Sequence, residues 1–282
     1  MSMDIKTIAI RWQVLHGVGL KQRTRDSYKD TINNHIIPVL GDYEIDDTDL
    51  PLAIAGLLRD KIDAGMARTS QLIYITLRQI TRGYQPDCMA GISKPRYTAG
   101  VVQPWTDDQM RTYMRGIQES RQYIPLLLAI TCGLRRGELC GLQWTDIYDG
   151  IIHIQRQRIR CSMGLIVTTP KTAAGVRDIP MPEGLADILD RYRADGWICT
   201  CTPERLYRVH VGICKRCGLP VIGLHGLRHS FASAIVRHGG QVSGLQMVLG
   251  HQHYATTADV YAPPDADCAR GAVAAFVGVG VT

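Results

Sequence analysis

The chain has 282 residues, 45% of them hydrophobic, with 32 Lys and Arg against 26 Asp and Glu for a net charge of +6. That composition excludes a low-complexity or disordered chain and leaves length for two globular domains. No apolar run approaches the ~18 residues of a membrane span, and the opening MSMDIKTIAIRWQ lacks the apolar core of a secretory signal. Residues 1–90 hold 11 basic and 11 acidic side chains, so the basic excess falls wholly in residues 91–282. Such an excess is compatible with a nucleic-acid partner without demonstrating one. Nine scattered cysteines without a secretion signal read as reduced thiols.

The first 84 residues read as helical. Ile5, Ile8, Ala9, Trp12 and Leu15 keep a three-to-four spacing that makes one apolar face, broken by Gly17 and Gly19. A second helix starts after Thr24 with Tyr28, Ile32 and His35 on one face, and Pro38 is expected to end it near residue 36. VLGDYEIDDTDL reads as a loop. Helices follow at 50–64, lined by Ile54, Leu57, Leu58 and Ile62, and at 68–83, lined by Leu72, Ile75 and Ile80. Four such helices can share one core. Residues 85–104 hold prolines and glycines without periodicity and read as a linker.

Beyond residue 104 the pattern mixes helices with short strands, so the expected class is α+β, mainly α with a small antiparallel sheet. Thr106 is a good N-cap ahead of Asp107 and Asp108. YIPLLLAITCGL reads as a buried helix leading to Arg135. IIHIQRQRI alternates, and GLIVTT and VRDIPM follow as strands joined through CSMG and PKTAAG turns, with Lys171 in the second. EGLADILDRYRADGW reads as an amphipathic helix. Cys199, Cys201, Cys214 and Cys217 then invite a zinc reading. Leu206, Val209 and Ile213 weigh against it: their helical periodicity puts Cys214 and Cys217 on one helix face as core thiols. No metal is assigned, and the sequence offers no account of the C-x-C pair.

Residues 225–261 concentrate the chemistry. His225 and Arg228 are three apart and project from one face of a helix. Gly250 marks the stop of the helix that ends in LGH, at His251. Tyr261 stands just before Pro263-Pro264. An arginine and two histidines can grip an anion, the arginine through its two-pronged guanidinium and the imidazoles through single hydrogen bonds. A tyrosine delivered there can act as an oxygen nucleophile. Its hydroxyl, with an ordinary pKa of ~10, needs help losing its proton. Phosphoryl transfer onto a tyrosine is the chemistry this set allows. Tyr254 is the rival, but it sits only three residues beyond His251, too close to swing independently.

These residues resemble the tyrosine recombinases, or phage-type integrases. The match comprises H-x-L-R-H at 225–229, L-G-H at 249–251 and the T-T-x-x-x-Y run ending at Tyr261. Upstream, TCGLRRGELCGLQW at 131–144 supplies Arg135, and TTPKTAAGVRDIPMP at 168–182 supplies Lys171. Together the five blocks stand in the family's order and cover roughly residues 100–262. The resemblance implies a helical, SAM-like core-binding domain at 1–84, a linker at 85–104, a catalytic domain at 105–264 and a C-terminal tail at 265–282. The chain is then expected to start almost directly in the core-binding domain, without the arm-site-binding domain that many phage integrases carry ahead of it.

The implied activity is site-specific recombination of double-stranded DNA through a 3′-phosphotyrosine. Tyr261 would attack a phosphate gripped by Arg135 and Arg228, and Lys171 would protonate the leaving 5′-oxygen. His225 would aid proton transfer from Tyr261, and His251 would donate a hydrogen bond to the transition state. Glu138 is expected to orient the site rather than act as an acid. Lys21, Arg23 and Arg25 resemble the segment where the core-binding domain meets backbone phosphate, and Lys94 and Arg96 are candidate contacts as the chain wraps the duplex. No cofactor or metal is assigned, and no membrane contact is expected. The resemblance implies a tetramer on DNA joined through the apolar tail AVAAFVGVGV, room for an accessory DNA-bending protein, and the cytoplasm of a prokaryotic or phage-infected cell. Two alternatives stay open: a type IB topoisomerase-like nicking-closing enzyme, and a non-catalytic DNA-binding protein on the same scaffold.

Overall fold

The computed structural model describes residues 2–98, 100, 103–170 and 173–250. The chain divides into two compact units between Gly100 and Val101. Lys171, His251, Tyr254, Tyr261 and the 265–282 tail lie outside the described residues. Among the described residues no helix is long and apolar enough to cross a membrane.

The first unit is helical. Helix α1 (Ile5–Gly17) starts at Asp4, whose carboxylate accepts from the Thr7 amide at 2.6 Å. It buries Ile5, Ile8 and Ala9, but Leu15 is 69% exposed, against expectation. Its apolar face leaves the core after Trp12, which packs partly buried against it. Helix α2 (Gln22–Thr31) runs through a π turn at Ile32–Ile36 into α3 (Ile37–Leu40). Pro38 was expected to end this helix near residue 36, and it does not. The π turn widens the backbone so that the Ile37 amide bonds the Ile32 carbonyl, five residues back, and Pro38 falls in the first turn of α3. A proline has no amide to give, and here it sits where the hydrogen-bonding pattern changes from the π turn back to the α-helix.

Helices α4 (Leu50–Asp63) and α5 (Ala67–Ile80) follow, separated at Gly65, whose φ of +74° suits a residue without Cβ. Ile32, Ile36, Leu40, Leu50, Ile54 and Ile73 are completely buried between the helices. Ile62 points outward instead, 44% exposed. Cys88 and Met89, expected in a linker, are buried in this same core, so the linker's first residues pack as part of the unit.

The second unit is built on α7 (Tyr123–Thr131), in which every residue from Ile124 to Ile130 is buried. Helix α6 (Asp107–Ile117) begins with the expected cap at Thr106, which exchanges hydrogen bonds with Gln109. After α8 (Arg136–Gly141) come β1 (Ile147–Tyr148) and β2 (Ile151–Ile154), then β3 (Gln157–Cys161) and β4 (Gly164–Thr168), and finally β5 (Arg177–Pro180).

One sheet was expected, and two form. β1, β2 and β5 make an antiparallel sheet in that order, with Ile152 opposite Ile179, while β3 and β4 pair only with each other. The chain leaves the first sheet at Gln155–Arg156, where Arg156 reaches back to Asp146 at 2.6 Å and Gln143 at 2.9 Å. The hairpin then packs on α8, so closely that a Cβ on Gly141 would come within 2.7 Å of the Gln157 backbone. Helix α9 (Leu185–Arg191) is shorter than its amphipathic pattern, which ran on to Trp197; the chain turns away through Gly196 at φ +77°. Helices α10 (Pro203–Arg216), α11 (Leu224–Arg237) and α12 (Val242–Leu249) complete the unit.

The eight described cysteines are free thiols. Cys199 is fully buried, with Sγ 3.6 Å from Cys140 and 3.8 Å from Cys201, which gives the C-x-C pair a place in the core. The hydrogen bond with Cys140, then burial, pushes the Cys199 thiol far up, and burial pushes Cys201 up to about 12. Among the described residues no group of three His, Cys, Asp or Glu is arranged to hold a metal ion.

His210 on α10 ties three segments of this core together. It is fully buried, with Nδ1 2.7 Å from the Tyr113 hydroxyl and Nε2 2.7 Å from the Ile222 carbonyl just ahead of α11. A carbonyl only accepts, so Nε2 carries the proton and Nδ1 accepts from Tyr113. Burial holds the imidazole below its ordinary value of 6.5. Its contribution to stability is therefore complete above that value and lost as pH falls below it. His210→Phe is expected to leave Tyr113 and Ile222 unpaired, at a cost of about 1–3 kcal/mol for each group. It should also flatten stability between pH 7.5 and 5.5 relative to wild type. Urea unfolding of both proteins at the two pH values checks this, and an unchanged slope in the variant would refute it.

Candidate active site

Helix α11 supplies two of the expected residues. Leu224 and Leu227 are buried on its inner face, which sets the rotation of the helix. His225 comes to the surface with its ring still crowded by its neighbours, and Arg228 goes inward with no exposed surface. The His225 ring meets His229 edge-on, with centroids 4.6 Å apart. Desolvation, then the charges of His229, Arg228 and Arg135, push the His225 imidazole down to about 4. It is therefore neutral near pH 7 and able to accept a proton. Arg228 donates from Nη1 to the Gly133 carbonyl at 2.8 Å and from Nη2 to the Leu249 carbonyl.

Arg135 stands at the N-cap of α8, where it is locked to the acid one turn on. Its amide donates to Glu138 Oε2 at 2.9 Å and its Nη1 to Glu138 Oε1 at 2.7 Å. Nη2 donates to the Gly250 carbonyl at 3.1 Å, and 35% of the side chain stays exposed. Gly133 makes the approach to Arg135. Its φ is +63°, and a Cβ there would stand 2.6 Å from the Phe231 ring. Only glycine lets the chain leave α7 at this angle while giving Arg228 its carbonyl.

Arg177, at the start of β5, was not among the expected site residues, yet it holds the centre. Its Nη1 and Nη2 take both oxygens of Glu138 at 3.0 and 2.9 Å. Nε donates to the Val248 carbonyl at 2.6 Å, and Nη1 also to the Gly175 carbonyl at 3.1 Å. A signal for it existed. Residues i and i+2 of a strand share a face, so an arginine two before the buried Ile179 faces inward and needs a carboxylate. Glu138 is that carboxylate, only 2% exposed. Burial would raise its pKa, but the Arg177 hydrogen bonds and the charges of Arg177 and Arg135 outweigh that and bring it down to about 2. Glu138 is thus ionised throughout the working range and is no proton donor, in keeping with an orienting role.

All three guanidiniums meet at one place. The last carbonyls of a helix have no partner within it and form its negative end. Val248, Leu249 and Gly250 accept from Arg177, Arg228 and Arg135 in turn. Gly250 closes the helix in the left-handed region at φ +62°, where a Cβ would run into the Ala174 carbonyl. His251 is the next residue in the chain. Three positive groups against one carboxylate leave a local excess of positive charge beside a neutral imidazole, an arrangement suited to a phosphate.

Of the expected set, the described structure brings Arg135, Arg228 and His225 together, whereas Lys171, His251 and Tyr261 fall outside it. The other candidates lie on the first unit. Lys21, Arg23 and Arg25 are exposed at the start of α2, and Lys94 and Arg96 are exposed in an extended segment.

Comparison with known proteins places these elements. The phage integrase family matches residues 105–267, and the SAM-like N-terminal domain of phage integrases matches residues 6–49. A prophage phiRv2 integrase of Mycobacterium tuberculosis is 28% identical over 258 residues, covering 83% of this chain and 68% of that protein. Among solved structures, the Tn1549 transposon integrase in complex with transposon right end DNA superposes with a TM-score of 0.73 at 21% identity, covering 98% of this chain and 100% of that one. A lambda integrase tetramer bound to a Holliday junction gives 0.73 at 22% identity, covering 92% and 77%. These likenesses establish the fold: helical, with small antiparallel sheets.

Glu138→Gln keeps the shape but removes the only carboxylate shown between Arg135 and Arg177. Breaking a buried pair on one side costs about 3–5 kcal/mol. Because the Glu138 pKa is depressed, its stabilisation is present above the ordinary 4.5 and lost as pH falls toward about 2. The stability gap between wild type and variant, measured in urea, is expected to shrink over that range. A gap that stays constant would overturn the assignment.

Proposed function

The chain belongs to the phage integrase family, and from that premise we propose that it is a site-specific DNA recombinase that cleaves and rejoins double-stranded DNA through a 3′-phosphotyrosine on Tyr261. The observation that carries the reading is the meeting of Arg135, Arg177 and Arg228 at the end of α12, directly ahead of His251. In the reaction the Tyr261 oxygen attacks the scissile phosphorus in line with the 5′-oxygen that leaves. The new P–O bond to tyrosine forms as the P–O5′ bond breaks. His225, neutral near pH 7, accepts the tyrosine proton, and Lys171 gives one to the leaving oxygen.

Charge builds on the non-bridging oxygens as five-coordinate phosphorus forms, and fixed donors aimed there lower the barrier. A guanidinium has five N–H donors. Arg135 spends some on Glu138 and Gly250 and keeps exposed surface toward an incoming phosphate. Arg228, fully buried against the Gly133 and Leu249 carbonyls, adds its charge from behind, and His251 completes the cradle. One phosphodiester is exchanged for another, so rejoining needs no external energy source.

In this reading residues 1–84 are the core-binding domain and residues 105–264 the catalytic domain, joined through 85–104. The exposed Lys21, Arg23 and Arg25, with Lys94 and Arg96, neutralise backbone phosphates. By its likeness to the lambda integrase tetramer, four copies act together on two duplexes, coupled through residues 265–282, in the cytoplasm of a prokaryotic or phage-infected cell.

The test is a covalent adduct. The protein is incubated with nicked, fragmented DNA of its source genome, denatured, and assayed for DNA attached to protein, with Tyr261→Phe beside it. The expected result is an adduct in wild type that the variant abolishes, and sequencing of the trapped DNA then gives the target site. An adduct that survives in Tyr261→Phe moves the nucleophile to Tyr254. Binding without any adduct reduces the protein to a DNA-binding scaffold, and nicking and closing by a lone protomer without strand exchange makes it topoisomerase-like.

A further inference from the structure

We propose that Arg177 is a positioning residue of this site, one that sets the Arg135 guanidinium through Glu138 without itself touching DNA; the inference rests on the function proposed above. The Arg177 side chain is only 6% exposed, and its donors are already engaged by Glu138, Val248 and Gly175. It therefore offers a phosphate almost nothing. What it does is divide the carboxylate. Each Glu138 oxygen is shared, Oε1 between Nη1 of Arg135 and Nη1 of Arg177, Oε2 between the Arg135 amide and Nη2 of Arg177. With Arg177 as its main counter-charge, the buried Glu138 needs only one edge of Arg135.

Removal of Arg177 changes that balance. A carboxylate 2% exposed cannot be left half-compensated. It draws Arg135 inward as its full partner, and the guanidinium turns from the face where the phosphate would sit. Two other ties go with it. The Val248 bond fixes the end of α12, three residues before His251, and the Gly175 bond fixes the turn four residues after Lys171. Among the described residues, Arg177 is thus the side chain bonded both to the acid that holds Arg135 and to the backbone flanking the Lys171 and His251 blocks.

The experiment uses the full chain and the nicked DNA site recovered from the wild-type adduct. Arg177→Met, Arg177→Lys and the double variant Arg177→Met with Glu138→Leu are compared with wild type for DNA affinity and for the single-turnover rate of adduct formation. Each is also run on DNA carrying a methylphosphonate at the scissile position. That centre lacks one of the negative charges Arg135 is there to neutralise. A misplacement on the order of an ångström costs about 100-fold in rate. The expected result for Arg177→Met is that loss on the phosphate, affinity within about twofold of wild type because no DNA contact is removed, and a much smaller loss on the methylphosphonate. Arg177→Lys keeps the charge but not the fork and should fall between. The double variant removes both buried charges, a change that stable cores tolerate, so it keeps the test available if Arg177→Met does not fold; without Glu138 the Arg135 guanidinium is no longer drawn inward but is no longer held in place either, so a loss on the phosphate is expected there too.

Weaker DNA binding with an unchanged rate would make Arg177 a DNA contact and overturn the inference. Equal losses on phosphate and methylphosphonate would make its role merely structural and overturn it too, as would a double variant with the wild-type rate. Absence of any adduct in wild type would instead sink the proposed function, so the two failures are told apart.

Discussion

A short helix with three carbonyls to satisfy organises the second unit. Helix α12 has eight residues, too few to be stable alone. Its open end would leave Val248, Leu249 and Gly250 without hydrogen-bond partners in a buried place. The chain answers with three arginines drawn from β5, α11 and the start of α8, one to each carbonyl. The dependence runs both ways. The helix end holds the guanidiniums close together, and the guanidiniums hold the helix end. Because mutual repulsion would otherwise scatter three positive groups, Glu138 has to be there and has to be ionised. Its depressed pKa is the measure of how strongly the arrangement demands its charge.

This explains why the glycines of the site stand where they do. Gly133 brings its carbonyl to Arg228 only with a backbone turn that any side chain would obstruct against Phe231. Gly250 lets α12 stop in the left-handed region while the Ala174 carbonyl and the Arg177 side chain press against the same spot. Both are places where three chain segments converge at close quarters, and neither tolerates the bulk of a Cβ. The His210 network lies further back, yet it serves the same end by fixing the Ile222 carbonyl ahead of α11. The position of His225 and Arg228 thus depends on a neutral, buried imidazole one helix away.

Much of this was legible in the sequence, and the parts that were not share a cause. His225 and Arg228 could be singled out because three-residue spacing on a helix is a local property, and Arg135 because its motif is contiguous. The Thr106 cap and the buried run Ile124–Ile130 were legible for the same reason. Arg177 escaped because its importance lies in Glu138, thirty-nine residues away. The split of the sheet escaped because β5 pairs with β2 across the whole β3–β4 hairpin, and alternation says which face a residue takes but not which strand stands beside it. Leu15 and Ile62 were misplaced because periodicity marks a face without saying how far the core extends beneath it. Pro38 misled for a subtler reason: the rule that proline ends a helix assumes regular turns, and a π turn stands directly ahead of this one.

The neutral state of His225 gives the proposed reaction an order of events. In the protein alone, desolvation and the nearby cations hold the imidazole to about 4, so it carries no proton near pH 7. A histidine at its ordinary value would be a partly protonated, less available acceptor at mildly acidic pH. A docked phosphate brings negative charge to the same place, and an opposite charge nearby favours the protonated form. The affinity of His225 for a proton therefore rises as the scissile phosphate is bound. Desolvation, and after it the charges of His229, Arg228 and Arg135, suppress protonation of His225 beforehand, so in the proposed reaction its affinity for the tyrosine proton rises only where a phosphate is bound.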